Sequence, residues 1–96
     1  MKEREYLLEL YEIYKELLTL RKRNYFQDYY YEDLSLQEIA DNNNVSKSYV
    51  SKIINSIEKE LTKYENKLKI NYKNSKIKEL IKEIPSEAKK KIEELL

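Results

Sequence analysis

Apolar residues along most of the chain recur three and four positions apart, the spacing that places side chains on one face of an α-helix. Tyr6, Leu7, Leu10, Tyr11, Tyr14, Leu17 and Leu18 form the first such stripe and predict a helix from about Lys2 to Leu18. Thr19 is suited to cap a second helix, from about Leu20 to Tyr31, with Leu20, Tyr25, Phe26, Tyr29 and Tyr30 turned inward. After the short connection Glu32-Asp33-Leu34, Ser35 and Glu38 have the spacing of a capping box and open a third helix that ends within Asp41-Asn42-Asn43-Asn44. The chain must reverse there, and Asn44 is the non-glycine residue type best suited to the positive φ that a reversal requires.

Ser46 is placed to cap a fourth helix, in which Val50, Ile53, Ile54, Ile57, Leu61, Tyr64 and Leu68 continue one stripe to about Lys69. Such a helix is about 36 Å long. The three short helices before it are not expected to cover its outer half. Leu61, Tyr64 and Leu68 therefore need another cover, either the tail of the same chain or a second copy. The reading taken here is a dimer seam shared with the tail. Beyond an interruption at 71–74, Ile77, Leu80, Ile81 and Ile84 predict a fifth helix, which Pro85 breaks. Ala88, Ile92, Leu95 and Leu96 make a last short stripe. The expected organisation is a helix-turn-helix domain over 1–70, its motif at about 35–57, and a helical extension over 71–96 used for packing or dimerisation.

Composition supports an all-α fold. The 96 residues include no Gly and one Pro, so the punctuation of hairpins and strand corners is missing. No apolar run approaches the roughly 20 residues of a membrane span. The mixed charges of Met1-Lys2-Glu3-Arg4-Glu5 lead into no signal-peptide core, so a cytoplasmic location is expected. Cys and His are both absent. Without them the commonest general base and the thiolate metal sites are unavailable, and adjacent acids such as Glu32-Asp33 and Glu93-Glu94 suggest no active site. The expectation is a binding protein with no enzyme activity, no cofactor and no metal.

The net charge is only +1, but its distribution is uneven. No acid occurs between Asp41 and Glu58. The overlapping stretch Ser35–Ile53 matches a helix-turn-helix pattern position by position. Leu36 and Ile39 are apolar, small Ala40 fits a close helix crossing, and Asn44 takes the turn position usually held by Gly. Val45 plugs the turn into the core, and Val50 and Ile53 anchor the second helix of the motif. Its outward residues, Lys47, Ser48, Tyr49, Ser51, Lys52 and Asn55, carry two cations, hydroxyls and an amide, but no carboxylate. In this type of domain, early residues of that helix reach base edges in the major groove. Ser46 and the helix-start amides are suited to grip a phosphate, and Arg21, Lys22 and Arg23 form a second basic cluster for the backbone. Two lysines give a shallow electrostatic attraction, so a monomer is expected to bind weakly and to need a second copy.

The stretch from Leu18-Thr19 to Leu68 resembles the YlxM-type helix-turn-helix proteins of bacteria. The matching residues are Arg23, Tyr25, Tyr29-Tyr30, Asp33, Ser35-Leu36, Glu38-Ile39-Ala40, Asn44-Val45-Ser46, Val50, Ile54, Glu58, Leu61, Tyr64-Glu65 and Lys67-Leu68. That family is similar to region four of sigma factors, which reads promoter DNA. The resemblance implies a small transcription regulator, dimeric, linked to the signal recognition particle pathway. The sequence departs from the family pattern at Lys47-Ser48-Tyr49, where Arg-Gln-Ala is usual, and at Asn55-Ser56, where basic residues are common.

Two functional readings follow. The first is a DNA-binding regulator that uses the fourth helix. The second is an interaction module of the targeting machinery that binds protein or RNA of the signal recognition particle. Within either, Tyr29-Tyr30-Tyr31 reads as core with one rim residue rather than as a stacking platform. Lys89-Lys90-Lys91 reads as a solvated helix face. Tyr49 is left between nucleic-acid contact and packing on a neighbouring helix.

Overall fold

The first helix, α1 (Arg4–Tyr14), buries Leu7, Leu10, Tyr11 and Tyr14 at the three- and four-residue spacing of its sequence. The computed structural model describes residues 3–96, with backbone alone at Glu83. The expected helix start at Lys2 lies outside the described residues. Beyond Tyr14 the helix tightens into a 3₁₀ turn at Lys15–Leu17, and Leu18 becomes extended. This break corrects the simple stripe: Leu18 is buried, whereas Leu17 is turned out and exposed. Thr19 caps α2 (Leu20–Tyr30), its hydroxyl accepting from the Lys22 amide at 3.3 Å. Leu20 is exposed rather than inward, because it lies on the first turn of α2, away from the face that carries Tyr25, Phe26 and Tyr30.

Asp33, at φ 54°, reverses the chain between α2 and α3 (Leu36–Asn43). Arg4 fixes this connection from α1 by pairing with the Asp33 carboxylate at 2.9 Å and donating to the Tyr30 carbonyl. Tyr31 is the exposed rim residue of the tyrosine triplet, while Tyr29 and Tyr30 pack against the core.

The longest helix, α4 (Lys47–Leu68), is the spine on which α1, α2 and α3 all pack. Its buried residues Val50, Ile54, Ile57 and Leu61 join Tyr11, Tyr14, Phe26, Ile39 and Ala40 in one cluster. At its centre, the Tyr11 and Phe26 rings stack with centroids 4.2 Å apart and planes within 9°. Each such large apolar side chain taken out of water contributes about 1.5–3 kcal/mol.

The outer half of α4 is covered in part within the chain. Helix α1 crosses it: the Tyr14 and Tyr64 rings lie 6.0 Å apart, and Leu61 is fully buried within one protomer. Of the three residues expected on a seam, Tyr64 is half-buried against the core and only Leu68, 45% exposed, is substantially free.

The tail turns sharply. Lys69 adopts a left-handed conformation, φ 53° and ψ 32°, and α5 (Ile70–Leu80) starts at the next residue. The fifth helix therefore begins earlier than the pattern indicated and runs through 71–74. A 3₁₀ turn at Ile81–Glu83 and Pro85 separate it from α6 (Ser86–Glu93). The tail lengthens the molecule to 54 × 25 × 24 Å with a radius of gyration of 16.7 Å, against about 13 Å for a compact chain of this size. Ile81 is buried, but Ile77, Leu80 and Leu95 remain exposed. Among the described residues every regular element is helical, and no helix is long and apolar enough to cross a membrane.

Candidate nucleic-acid interface

The local geometry of the motif begins at Ser35. Its hydroxyl accepts from the Glu38 amide at 3.0 Å, and the Glu38 carboxylate accepts from the Ser35 amide at 3.0 Å, completing the capping box. Asn44 ends α3 at φ 54° and ψ 45°. Behind it, the Val45 amide donates to the Ala40 carbonyl at 3.1 Å, and Asn43 Nδ2 donates to the Ile39 carbonyl at 2.7 Å. Ala40 is fully buried in the core cluster, and α3 packs on α4. The Asn44 amide is shared between the Ala40 and Asp41 carbonyls, so backbone pairing and the Asn43 side-chain amide close the turn with no glycine in it.

Ser46 then caps α4, accepting from the Tyr49 amide at 3.1 Å, and its hydroxyl lies 3.3 Å from that of Ser48. Ser46, Lys47, Ser48, Lys52 and Asn55 are exposed, and Ser51 is half-exposed. They flank the face opposite the buried stripe of α4. The carboxylates that end the acid-free window are engaged inward: Glu58 accepts from the Tyr30 hydroxyl, while Glu60 pairs with Lys22 at 2.6 Å and accepts from the Tyr64 hydroxyl at 2.9 Å. The first three turns of α4 therefore present cations and hydroxyls without a competing anion on the same helix.

The second basic cluster does not stay together. Lys22 is drawn to Glu60, and Arg23 reaches Glu16 at 3.3 Å with its Nε enclosed. Arg21 alone of the three is exposed without a carboxylate partner among the described residues. Its guanidinium instead donates to the Tyr49 hydroxyl and lies 5.4 Å from the Tyr49 ring centre and 6.0 Å from that of Tyr25. Tyr49 is half-buried, edge-on to Tyr25 with centroids 6.4 Å apart, so it packs on α2. The Arg21–Tyr49 contact joins residues 28 positions apart. No periodicity in the sequence signals it, since it depends on how the starts of α2 and α4 meet.

Among the described residues, no group of three or more carboxylates gathers into a metal site. The Tyr14, Tyr30 and Tyr31 hydroxyls meet Glu65, Glu58 and Glu12 on other helices, whereas Tyr64 meets Glu60 within α4. Burial, then the hydrogen bond to Glu65, pushes Tyr14 up to about 12; burial and Glu58 act in the same direction on Tyr30. Those shifts belong to the core and lie away from the exposed face of α4.

The model of the UPF0122 family, described as "Putative helix-turn-helix protein, YlxM / p13 like", matches residues 1–96. The match runs past the Leu18–Leu68 stretch and includes the tail. Similar chains include a UPF0122 protein of Ureaplasma urealyticum serovar 10, 43% identical over 96% of this chain and 94% of that protein. A UPF0122 protein of Mycoplasma capricolum is 46% identical over 81% of this chain and 69% of its own length. One from Lactococcus lactis is 43% identical over 81% of this chain and 74% of its own length.

Proposed function

The chain belongs to the UPF0122 helix-turn-helix family, and from that premise we propose that it is a DNA-binding regulator that lays α4 in the major groove. The observation that carries this reading is the exposed, anion-free start of α4, on which Lys47, Ser48, Ser51, Lys52 and Asn55 alternate with the inward-facing Val50 and Ile54. Ser and Asn donate to and accept from base edges, and Lys reaches guanine or phosphate. Residues 1–70 serve as the reading unit and 71–96 as its extension.

A homodimer belongs to the same reading. Two lysines neutralise too few phosphates for firm binding by one copy, and a second reading helix doubles that number. Leu68, Ile77 and Leu80 offer apolar surface for the pairing. Fluorescence anisotropy with a labelled random-sequence duplex pool, at low and high salt, tests the proposal. Binding at low salt that falls as salt rises is the expected result. No binding at low salt overturns it.

One observation favours a second reading, an interaction module in the signal recognition particle pathway. The tail combines exposed Ile77, Leu80 and Leu95 with exposed Lys73, Lys78, Lys82, Lys90 and Lys91, a surface suited to protein or RNA. Retention of the particle's protein or its RNA on the immobilised chain supports that reading, and retention of neither removes it.

A further inference from the structure

We propose that Tyr49 is a positioning residue that stations Arg21 as a third cation beside the reading face of α4, where it contacts the phosphodiester backbone of duplex DNA. This inference rests on the DNA-binding reading above.

The argument begins with position. Tyr49 lies in the first turn of α4, and Lys52, three residues on, is its neighbour on the helix surface. At about 100° per residue, Tyr49 lies on the flank between the buried stripe of Val50 and Ile54 and the exposed Ser48 and Lys52. A group held by Tyr49 therefore borders the anion-free face.

Arg21 is the group that it holds. The guanidinium meets the Tyr49 hydroxyl and lies within cation–π range of both Tyr49 and Tyr25. The two rings contact each other edge to face, which packs Tyr49 against α2. Asn24, Asp28 and Asn43 line the same shallow hollow beside Arg21. Neutral tyrosines hold a cation without neutralising it, whereas Glu60 and Glu16 engage Lys22 and Arg23. Arg21 thus arrives at the interface charged, exposed and partly ordered, so less side-chain entropy is lost when a phosphate docks.

The experiment is anisotropy titration of the full chain with the labelled random-sequence duplex pool across a salt series. The variants are R21A, Y49F, Y49L and the double variant R21A/Y49L. Y49L keeps apolar bulk against Tyr25, and circular dichroism checks that each variant is folded. R21A is expected to weaken binding several-fold and to reduce the slope of log affinity against log salt by about 0.9. Y49F keeps the ring but removes the hydroxyl that accepts from Arg21, and is expected to weaken binding less than Y49L does. Y49L weakens binding several-fold when Arg21 is present and has no further effect in R21A. A merely structural role for Tyr49 would weaken both backgrounds equally, and that result overturns the proposal. So does an R21A variant with unchanged affinity and slope. If the parent chain does not bind at all, the DNA-binding reading falls and takes this inference with it, an outcome distinct from binding that ignores Arg21.

Discussion

The Tyr14 hydroxyl donates to Glu65 Oε1 at 2.6 Å, joining α1 to the far end of α4 through two buried side chains 51 positions apart. The same carboxylate accepts from the Asn71 and Tyr72 amides, each at 3.1 Å, and the Ile70 amide donates to the Tyr14 hydroxyl at 3.2 Å. The start of α5 carries no side-chain cap of its own. Glu65 and Tyr14 satisfy its free N–H groups, which stabilises the one-residue corner at Lys69 and fastens the tail to the body.

Replacing that carboxylate should therefore be costly. Glu65→Ala leaves a buried hydroxyl and the first amides of α5 without an acceptor, and is expected to destabilise the chain by about 2–4 kcal/mol. Urea unfolding measures this, with Glu87→Ala, at an exposed position, as the comparison. Equal losses in the two variants would refute the anchoring role.

Alkaline pH probes the same contact. Burial, and then the hydrogen bond to Glu65, raises Tyr14 from 10.0 to about 12. A group whose folded value is raised contributes stability that is intact below its unfolded value and is lost as pH rises through the folded one. The Tyr14 contribution is thus complete below pH 10 and lost between 10 and about 12. Tyr30 and Tyr31 shift in the same direction, through burial and through Glu58 and Glu12 respectively. Thermal unfolding followed across this range should show a midpoint that falls above pH 10, less steeply in Tyr14→Phe. An unchanged slope in that variant would assign the alkaline loss to the other tyrosines.

Local rules made the motif legible in the sequence. Ser35 with Glu38, Asn44 at the reversal and Ser46 before α4 act within four residues of themselves, so their spacing carries their geometry. The tertiary partners were not legible. Leu61 read as an uncovered position because a stripe shows that a face is apolar without showing what lies over it; it is fully buried in the cluster that α1, α2 and α3 form on α4. Leu17 and Leu20 kept the apolar spacing but lie at a helix break and on a first turn, which rotate them outward. Arg21, Lys22 and Arg23 read as one cluster, yet consecutive helical residues point about 100° apart. Two of the three found carboxylates on α4 and near the end of α1, and one found Tyr49.

The turn itself can be tested by size and by backbone freedom. Ala40 is fully buried on α3, which packs on α4, so Ala40→Leu overfills the core and should cost about 1–3 kcal/mol. Asn44→Ala places a Cβ without a compensating polar side chain at φ 54° and should cost about 1 kcal/mol, whereas Asn44→Gly should be neutral or stabilising. Denaturant midpoints for the three variants check the order. A stable Ala40→Leu would mean that the core is not closely packed around Ala40.

Charge reversal at the exposed start of α4 separates binding from folding. Lys47 and Lys52 are exposed and form no salt bridge among the described residues, so Lys47→Glu with Lys52→Glu should change stability by less than about 0.5 kcal/mol. The same pair supplies two of the few cations on the proposed reading face. Losing two phosphate contacts should reduce the slope of log affinity against log salt by about 1.8. Two added carboxylates would also repel the duplex, so binding to the random-sequence pool should fall by more than tenfold at low salt. Anisotropy titration together with thermal unfolding of the same preparation reads both quantities. A folded double variant that binds as tightly as the parent would show that the duplex is engaged elsewhere on the molecule, and α4 would lose its assigned role.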